Sequence, residues 1–325
     1  MWAQVLVAPG QLRLIDLPPR TSADLGPGQL LVRVLAGGIC GSDIPLFSGY
    51  MPVSGTSAGY SGFRPPGYPL HEIMAEVVAS TSPVAVPGDR VVGWASRNDG
   101  MAELVITDAG SVVVVDTQQA IVEAVMLQPL ACVLAALDRL PTVRGRAAAV
   151  IGLGPIGALF CHALKAKGAR SIVGVDRVDR RDIAALYGID EVVWASADQW
   201  ASRAKSDEVE RPELVIEAVG RDGGALDHAL HAVRTGGVVY AFGMPTSHHF
   251  ALDLDDFYRR NVTLISGTTA DRRQALEAAC RYLAATPELT ELYFTHHLSF
   301  ADAQEGFDAA RNPRTGQMKL CLLAP

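Results

Sequence analysis

Two short stretches concentrate side chains able to bind a metal or move a proton. Gly37-Gly38-Ile39-Cys40-Gly41-Ser42-Asp43 sets a cysteine in a glycine-rich turn, with a hydroxyl and a carboxylate directly behind it. Farther on, His71 and Glu72 head the apolar run EIMAEVV. A third patch, LQPLACVLAALDRL (127–140), puts Gln128 and Cys132 one helical turn apart on one face. Cysteine and histidine are good zinc ligands, a carboxylate can complete the set, and a catalytic zinc keeps one position open for water or substrate. A lone cysteine can equally be a small buried hydrophobe, and on spacing alone the two readings stand level.

A second kind of chemistry is written in Gly152-Leu153-Gly154-Pro155-Ile156-Gly157. The spacing GxGxxG alone is weak, but its context is complete. An apolar strand (147–151) precedes it, a helical pattern (156–167) follows, and a second strand (171–175) ends in Asp176. Such glycines permit a tight turn, close approach of a pyrophosphate and close helix–strand packing. The helix then points its free N–H groups at the phosphates. Asp176 would accept hydrogen bonds from the adenosine ribose and repel a 2′-phosphate, which favours NAD over NADP. Arg177 beside it could pair with that phosphate. The alternative is a tight turn in an α/β sheet with no ligand.

These residues need elements to hold them. The first hundred residues read as β-structure: QLLVRVLAGG (29–38), EIMAEVVAS (72–80) and, after a Pro-Gly-Asp turn, the strand within VPGDRVVGW (86–94). Residues 48–69 are rich in Gly, Ser and Pro and predict a long loop. Its aromatics Tyr50, Tyr60, Phe63 and Tyr68 are candidates for a substrate wall, or for pinning the loop. Near residue 117 the pattern changes to short apolar strands alternating with Ala-rich helical stretches, which implies a parallel sheet covered by helices on both faces. NVTLISG (261–267) reads as the last of these strands.

The totals narrow the function. A chain of 325 residues suits two domains, and 49% hydrophobic residues supply their cores. The net charge of −7 and the absence of a basic stripe argue against nucleic acid. No apolar run is long enough to span a bilayer, and the start lacks the pattern of a signal peptide. Five scattered cysteines suit a reducing cytoplasm. None forms a CxxC pair, so a four-cysteine structural zinc lobe is not expected. His248-His249 and His296-His297 read as loop or surface histidines. Cys161, Cys280 and Cys321 read as core, as does Trp94.

Taken in order, GICGSD, HEIMAEVV, VPGDRVVG, QPLACVLAAL, VIGLGPIG, LVIEAVG, GGVVYAFGMP and GQMKLCLL run nearly the length of the chain. Together they resemble the medium-chain dehydrogenase/reductase superfamily, in its zinc-dependent alcohol and polyol dehydrogenase group. The resemblance implies an α/β fold: a GroES-like catalytic domain (1–117 and 268–325) interrupted by a Rossmann dinucleotide-binding domain (118–267). It implies that Cys40 and His71 bind one catalytic zinc and that Glu72 is a third ligand or sits directly behind the metal. Gln128 or Cys132 is a lesser candidate. Ser42 would relay the alcohol proton, and Asp43 would brace His71. The nicotinamide would lie near Val219, Gly243 and Thr268. Leu70 stands where glycine is usual, Gln128 where the polyol branch often has glutamate, and Ile44-Pro45 where a relay histidine is often near. The expectation is an NAD- and zinc-dependent oxidoreductase of a small secondary alcohol or polyol, and a cytoplasmic homodimer joined through the 261–267 strand. The alternatives are a zinc-free NADPH-dependent quinone or enoyl reductase on the same fold, and a non-catalytic dinucleotide-binding protein.

Overall fold

The computed structural model describes residues 1–50, 64–117, 119–206, 210–221 and 223–325. Tyr60 and Phe63 lie outside them. The strands in chain order are β1 (Trp2–Ala8), β2 (Gln11–Asp16), β3 (Gln29–Gly38), β4 (Glu72–Ser80), β5 (Arg90–Trp94), β6 (Leu104–Asp108), β7 (Val112–Val115), β8 (Ala147–Ile151), β9 (Ser171–Asp176), β10 (Glu191–Trp194), β11 (Leu214–Glu217), β12 (Val238–Ala241), β13 (Thr263–Ser266), β14 (Phe294–Ser299) and β15 (Lys319–Leu323). The helices are α1 (Asp43–Phe47), α2 (Ile121–Val125), α3 (Leu127–Leu137), α4 (Pro155–Ala166), α5 (Ala197–Lys205), α6 (Gly224–Ala232), α7 (Leu254–Arg259), α8 (Arg272–Ala285) and α9 (Ala303–Arg311). None of them is long and apolar enough to cross a membrane.

The chain divides into two units. The first comprises Met1–Ala131, Ala270–Pro313 and Met318–Pro325, and the second Cys132–Thr269 with Arg314–Gln317. The first unit therefore runs past residue 117, because α2 packs on β3, β4 and β5. Its main sheet is ordered β14-β15-β3-β4-β5-β7, with β6 also paired to β3. This is the β-rich unit that the resemblance leads one to expect. Strand β3 is central and mostly buried, with Arg33 exposed, as its Leu- and Val-rich sequence requires. Strand β15 returns from the far end of the chain and pairs antiparallel with β3, setting Cys321 against Gly38.

The second unit is a six-stranded parallel sheet of order β10-β9-β8-β11-β12-β13. The strand order reverses beside β8, the switch point at which open α/β sheets bind ligands. Strand β8 is buried along its whole length, which explains its unbroken apolar sequence. Val262 precedes β13 and belongs to the core of this unit, at 7% exposure. Within the 261–267 segment expected to join two copies, Val262 thus faces the core, and the edge strand runs from Thr263 to Ser266. The Thr263 N–H also points inward, to the Gly237 carbonyl at 2.9 Å.

Candidate active site

The turn after β3 is closed by Asp43. Its backbone N–H donates to the Cys40 carbonyl at 3.0 Å, and its Oδ2 accepts from the Cys40 N–H at 3.0 Å. Its Oδ1 lies 2.7 Å from His71 Nδ1. One fully buried carboxylate thus fixes both the cysteine backbone and the imidazole ring. In the neutral ring, Nδ1–H donates to Asp43 and Nε2 is left as the lone-pair nitrogen. Asp43 also begins α1, where a negative charge is favourable. Ser42 is half-buried beside it, and its hydroxyl does not cap α1.

Beneath the turn lies a pair that the sequence did not announce. Glu72 and Lys319 are both buried, at 0% and 1% exposure. Lys319 Nζ donates to Glu72 Oε1 at 2.6 Å. Oε2 is equally close to Nζ but accepts no hydrogen bond, so it remains a buried acceptor. The pair explains the second glycine of GGICGSD. A Cβ on Gly38 would come within 2.3 Å of Glu72 Oε2 and 2.9 Å of Lys319 Cε. Leu70, at the position where glycine was expected, is buried against Gly37, whose own Cβ would lie 2.4 Å from Leu70 Cδ2. The leucine fills space that the first glycine leaves.

Donor atoms of Cys40, His71 and Glu72 all lie within 4.8 Å of one another. Cys132 is outside this group; it falls in the second unit, near Tyr240. Gln128 is buried at the start of α3. Counting Cys40 as the thiolate a metal needs, three negative groups (Cys40, Asp43, Glu72) face one buried ammonium. With His71 neutral, as a metal ligand must be, the excess of two negative charges matches a divalent cation, and the thiolate–imidazole–carboxylate donors match zinc. Burial would lower the pKa of His71, but Asp43 and Cys40 override it and hold the ring well above its ordinary value. Burial likewise works against Lys319, yet Glu72 and Cys40 keep its pKa above the usual lysine range.

In the second unit, the loop after β8 is shaped for a phosphate. Gly154 is the N-cap of α4, has no side-chain cap and has open space where a Cβ would stand. Gly157 packs so closely on the loop that a Cβ would meet the Gly152 carbonyl oxygen at 1.8 Å. Pro155 and Ile156 open the helix, where the missing N–H of proline costs nothing. Asp176 ends β9, and its two oxygens accept from the N–H groups of Leu153 (2.6 Å) and Val178 (2.8 Å). Arg177 next to it is exposed. Val219, Gly243 and Thr268 follow the carboxyl ends of β11, β12 and β13. Buried Glu217 accepts from the N–H groups of Val219 and Gly220 at 2.7 and 2.6 Å, fixing the first of these turns.

Of the residues singled out in the sequence, Cys40, His71 and Glu72 come together with Asp43, and Gly152, Gly154, Gly157 and Asp176 form one loop-and-strand site. His248 and His249 are exposed. His296 and His297 lie on β14. Trp94 is buried, with the Arg272 guanidinium 5.2 Å from its ring centre. Lys319 was missed. The signal for it was a single charge inside the apolar strand GQMKLCLL, where an unpaired lysine would be costly.

Comparison with known proteins gives the family. Residues 26–123 match the family model of the alcohol dehydrogenase GroES-like domain, and residues 155–285 that of zinc-binding dehydrogenases. A probable zinc-binding alcohol dehydrogenase of Mycobacterium tuberculosis is 27% identical, over 99% of this chain and 88% of its own. A D-altritol 5-dehydrogenase of Agrobacterium fabrum is 26% identical, over 93% of this chain and 94% of its own. Among solved structures, an alcohol dehydrogenase from Thermus sp. ATN1 superposes with a TM-score of 0.81 at 24% identity, covering 100% of both chains. The chain belongs to the medium-chain dehydrogenase/reductase superfamily, in its zinc-dependent alcohol and polyol dehydrogenase group, and so among oxidoreductases acting on CH–OH groups.

Proposed function

We propose that the protein is an NAD- and zinc-dependent dehydrogenase that interconverts a secondary alcohol or polyol and its ketone. The observation that carries this reading is the Cys40–His71–Glu72 cluster, with its excess of two negative charges over Lys319. Cys40 Sγ and His71 Nε2 are the proposed ligands, and Glu72 Oε2 offers a third donor from below. When bound, the metal supplies a Lewis acid for the substrate oxygen, and the nicotinamide supplies the hydride acceptor.

The chain's own residues do the rest. Asp43 holds the His71 tautomer and the Cys40 turn, so the donor set is organised before the metal arrives. Lys319 offsets the charge of Glu72 without leaving the core. Ser42 accepts the substrate's hydroxyl proton and passes it toward solvent. Gly154 and the start of α4 receive the pyrophosphate, and Asp176 holds the adenosine ribose. Val219, Gly243 and Thr268 are assigned to the nicotinamide end. The NAD preference rests on the Asp176 carboxylate at the ribose position.

A zinc-free reductase has no use for this buried cluster, which would cost stability and return nothing. The same argument weighs against a non-catalytic dinucleotide-binding protein. We assign the protein to the cytoplasm as a homodimer joined edge to edge at β13, where Leu264 is exposed. The experiment is a panel of polyols, amino alcohols and cyclitols with NAD, following absorbance of the reduced cofactor. Turnover that stops with a chelator and returns with zinc supports the reading. Turnover only of quinones or enones with NADPH, indifferent to chelator, contradicts it.

A further inference from the structure

Trp194 is 63% exposed, the most exposed of the described tryptophans. It ends β10, the strand outside β9, and stands in register with Asp176. An indole so placed would ordinarily be buried, since it brings a large apolar area. Here its N–H donates to the Arg177 carbonyl at 2.9 Å, which satisfies the polar atom and holds the ring over the turn that follows Asp176.

The line of the bound nucleotide is set by the sheet. The pyrophosphate belongs at the α4 N-terminus beside β8, and the ribose at Asp176 on β9. The base is attached on the far side of the ribose from the pyrophosphate. It therefore continues outward, toward the next strand in the order β8-β9-β10. The last residue of that strand is Trp194, one strand spacing of about 4.8 Å from Asp176. We propose that the Trp194 indole is the stacking platform for the adenine ring. The proposal rests on the dinucleotide reading above but not on the choice between NAD and NADP, because both carry adenine. A ring held by one hydrogen bond needs little ordering on binding, so the stacking is gained with small entropic loss.

Base–aromatic stacking is worth a roughly 10- to 100-fold change in affinity on truncation to alanine. The test is calorimetric titration of the full chain and of its Trp194→Ala and Trp194→Phe variants with NAD, NADP, ADP and nicotinamide mononucleotide. Trp194→Ala should weaken NAD and ADP by about that factor, leave the mononucleotide unchanged and raise the KM for the dinucleotide. Trp194→Phe should recover most of the loss. ADP should also shield part of the unmutated protein's fluorescence from iodide, and not that of Trp194→Phe, because Trp94 and Trp200 are buried and Trp2 is half-buried. If NAD or NADP binds the unmutated chain and Trp194→Ala changes ADP affinity less than about twofold, the platform is refuted while the dinucleotide site stands. If no adenine nucleotide binds the unmutated chain, both fall.

Discussion

Replacing Lys319 by methionine keeps the length and apolar stem of the side chain and removes its charge. The ammonium sits 2.6 Å from the Glu72 carboxylate, and both are buried. At an effective dielectric near 20 their attraction is about 6 kcal/mol. The substitution also saves the desolvation of lysine, so the net cost should be about 3–5 kcal/mol, as for other buried pairs broken on one side. The remaining negative groups, Cys40, Asp43 and Glu72, would then be offset only by the His71 ring paired with Asp43. Urea unfolding of the chelator-treated protein, followed by a signal from the first unit, measures this cost. A divalent metal supplies the missing positive charge, so zinc should restore more stability to Lys319→Met than to the unmutated chain. Adding Glu72→Gln to Lys319→Met should recover most of the loss, since it removes the stranded charge as well. A loss under about 1 kcal/mol in Lys319→Met, or none of it recovered in the double variant, would refute the account of the pair.

Four further outcomes are expected. Asp43→Asn should lower zinc affinity about 10- to 100-fold in competition with a chelator, because it loosens His71 and the Cys40 turn together. Ser42→Ala should keep its metal and lose about 10²-fold in turnover; full activity would mean that another group carries the proton. Burial raises the pKa of Glu217 against the pull of its backbone donors, so the native state holds its proton more tightly than the unfolded chain does. Its contribution should therefore fall as pH rises from about 4.3 through the raised value, and Glu217→Gln should flatten that slope in unfolding measurements. Leu264→Pro removes an outward N–H by strand alternation and should give a monomer in sedimentation where the unmutated chain forms the proposed dimer, whereas proline at Thr263 would break the inner ladder to Gly237.

What could be read from the sequence was whatever a residue type commits itself to. Cys40 and His71 stood out because few side chains bind zinc, and the turn glycines before and after them marked where the chain reverses. The phosphate loop was legible because strand, glycines, helix and Asp176 fall at fixed spacing in one continuous segment. Lys319 was not, because its partner is 247 residues away and the two meet only through the registers of β15 on β3 and of β3 on β4. Leu70 looked like a departure because its compensation, the space above Gly37, lies on another strand. The direction of the Thr263 N–H and the burial of Val262 also depend on register, which an apolar hexapeptide does not specify. Trp194 carried no signal in the sequence, because only the sheet order places it beside Asp176.

The most direct test of the central claim is the zinc content of the purified protein and of Cys40→Ser, each chelator-treated and reloaded. The account predicts one zinc per unmutated chain and none in Cys40→Ser, because a neutral hydroxyl cannot stand in for the thiolate, while the variant keeps its fold and dinucleotide binding. An unmutated chain that takes up no zinc, or a Cys40→Ser variant that holds it as tightly, would contradict the account.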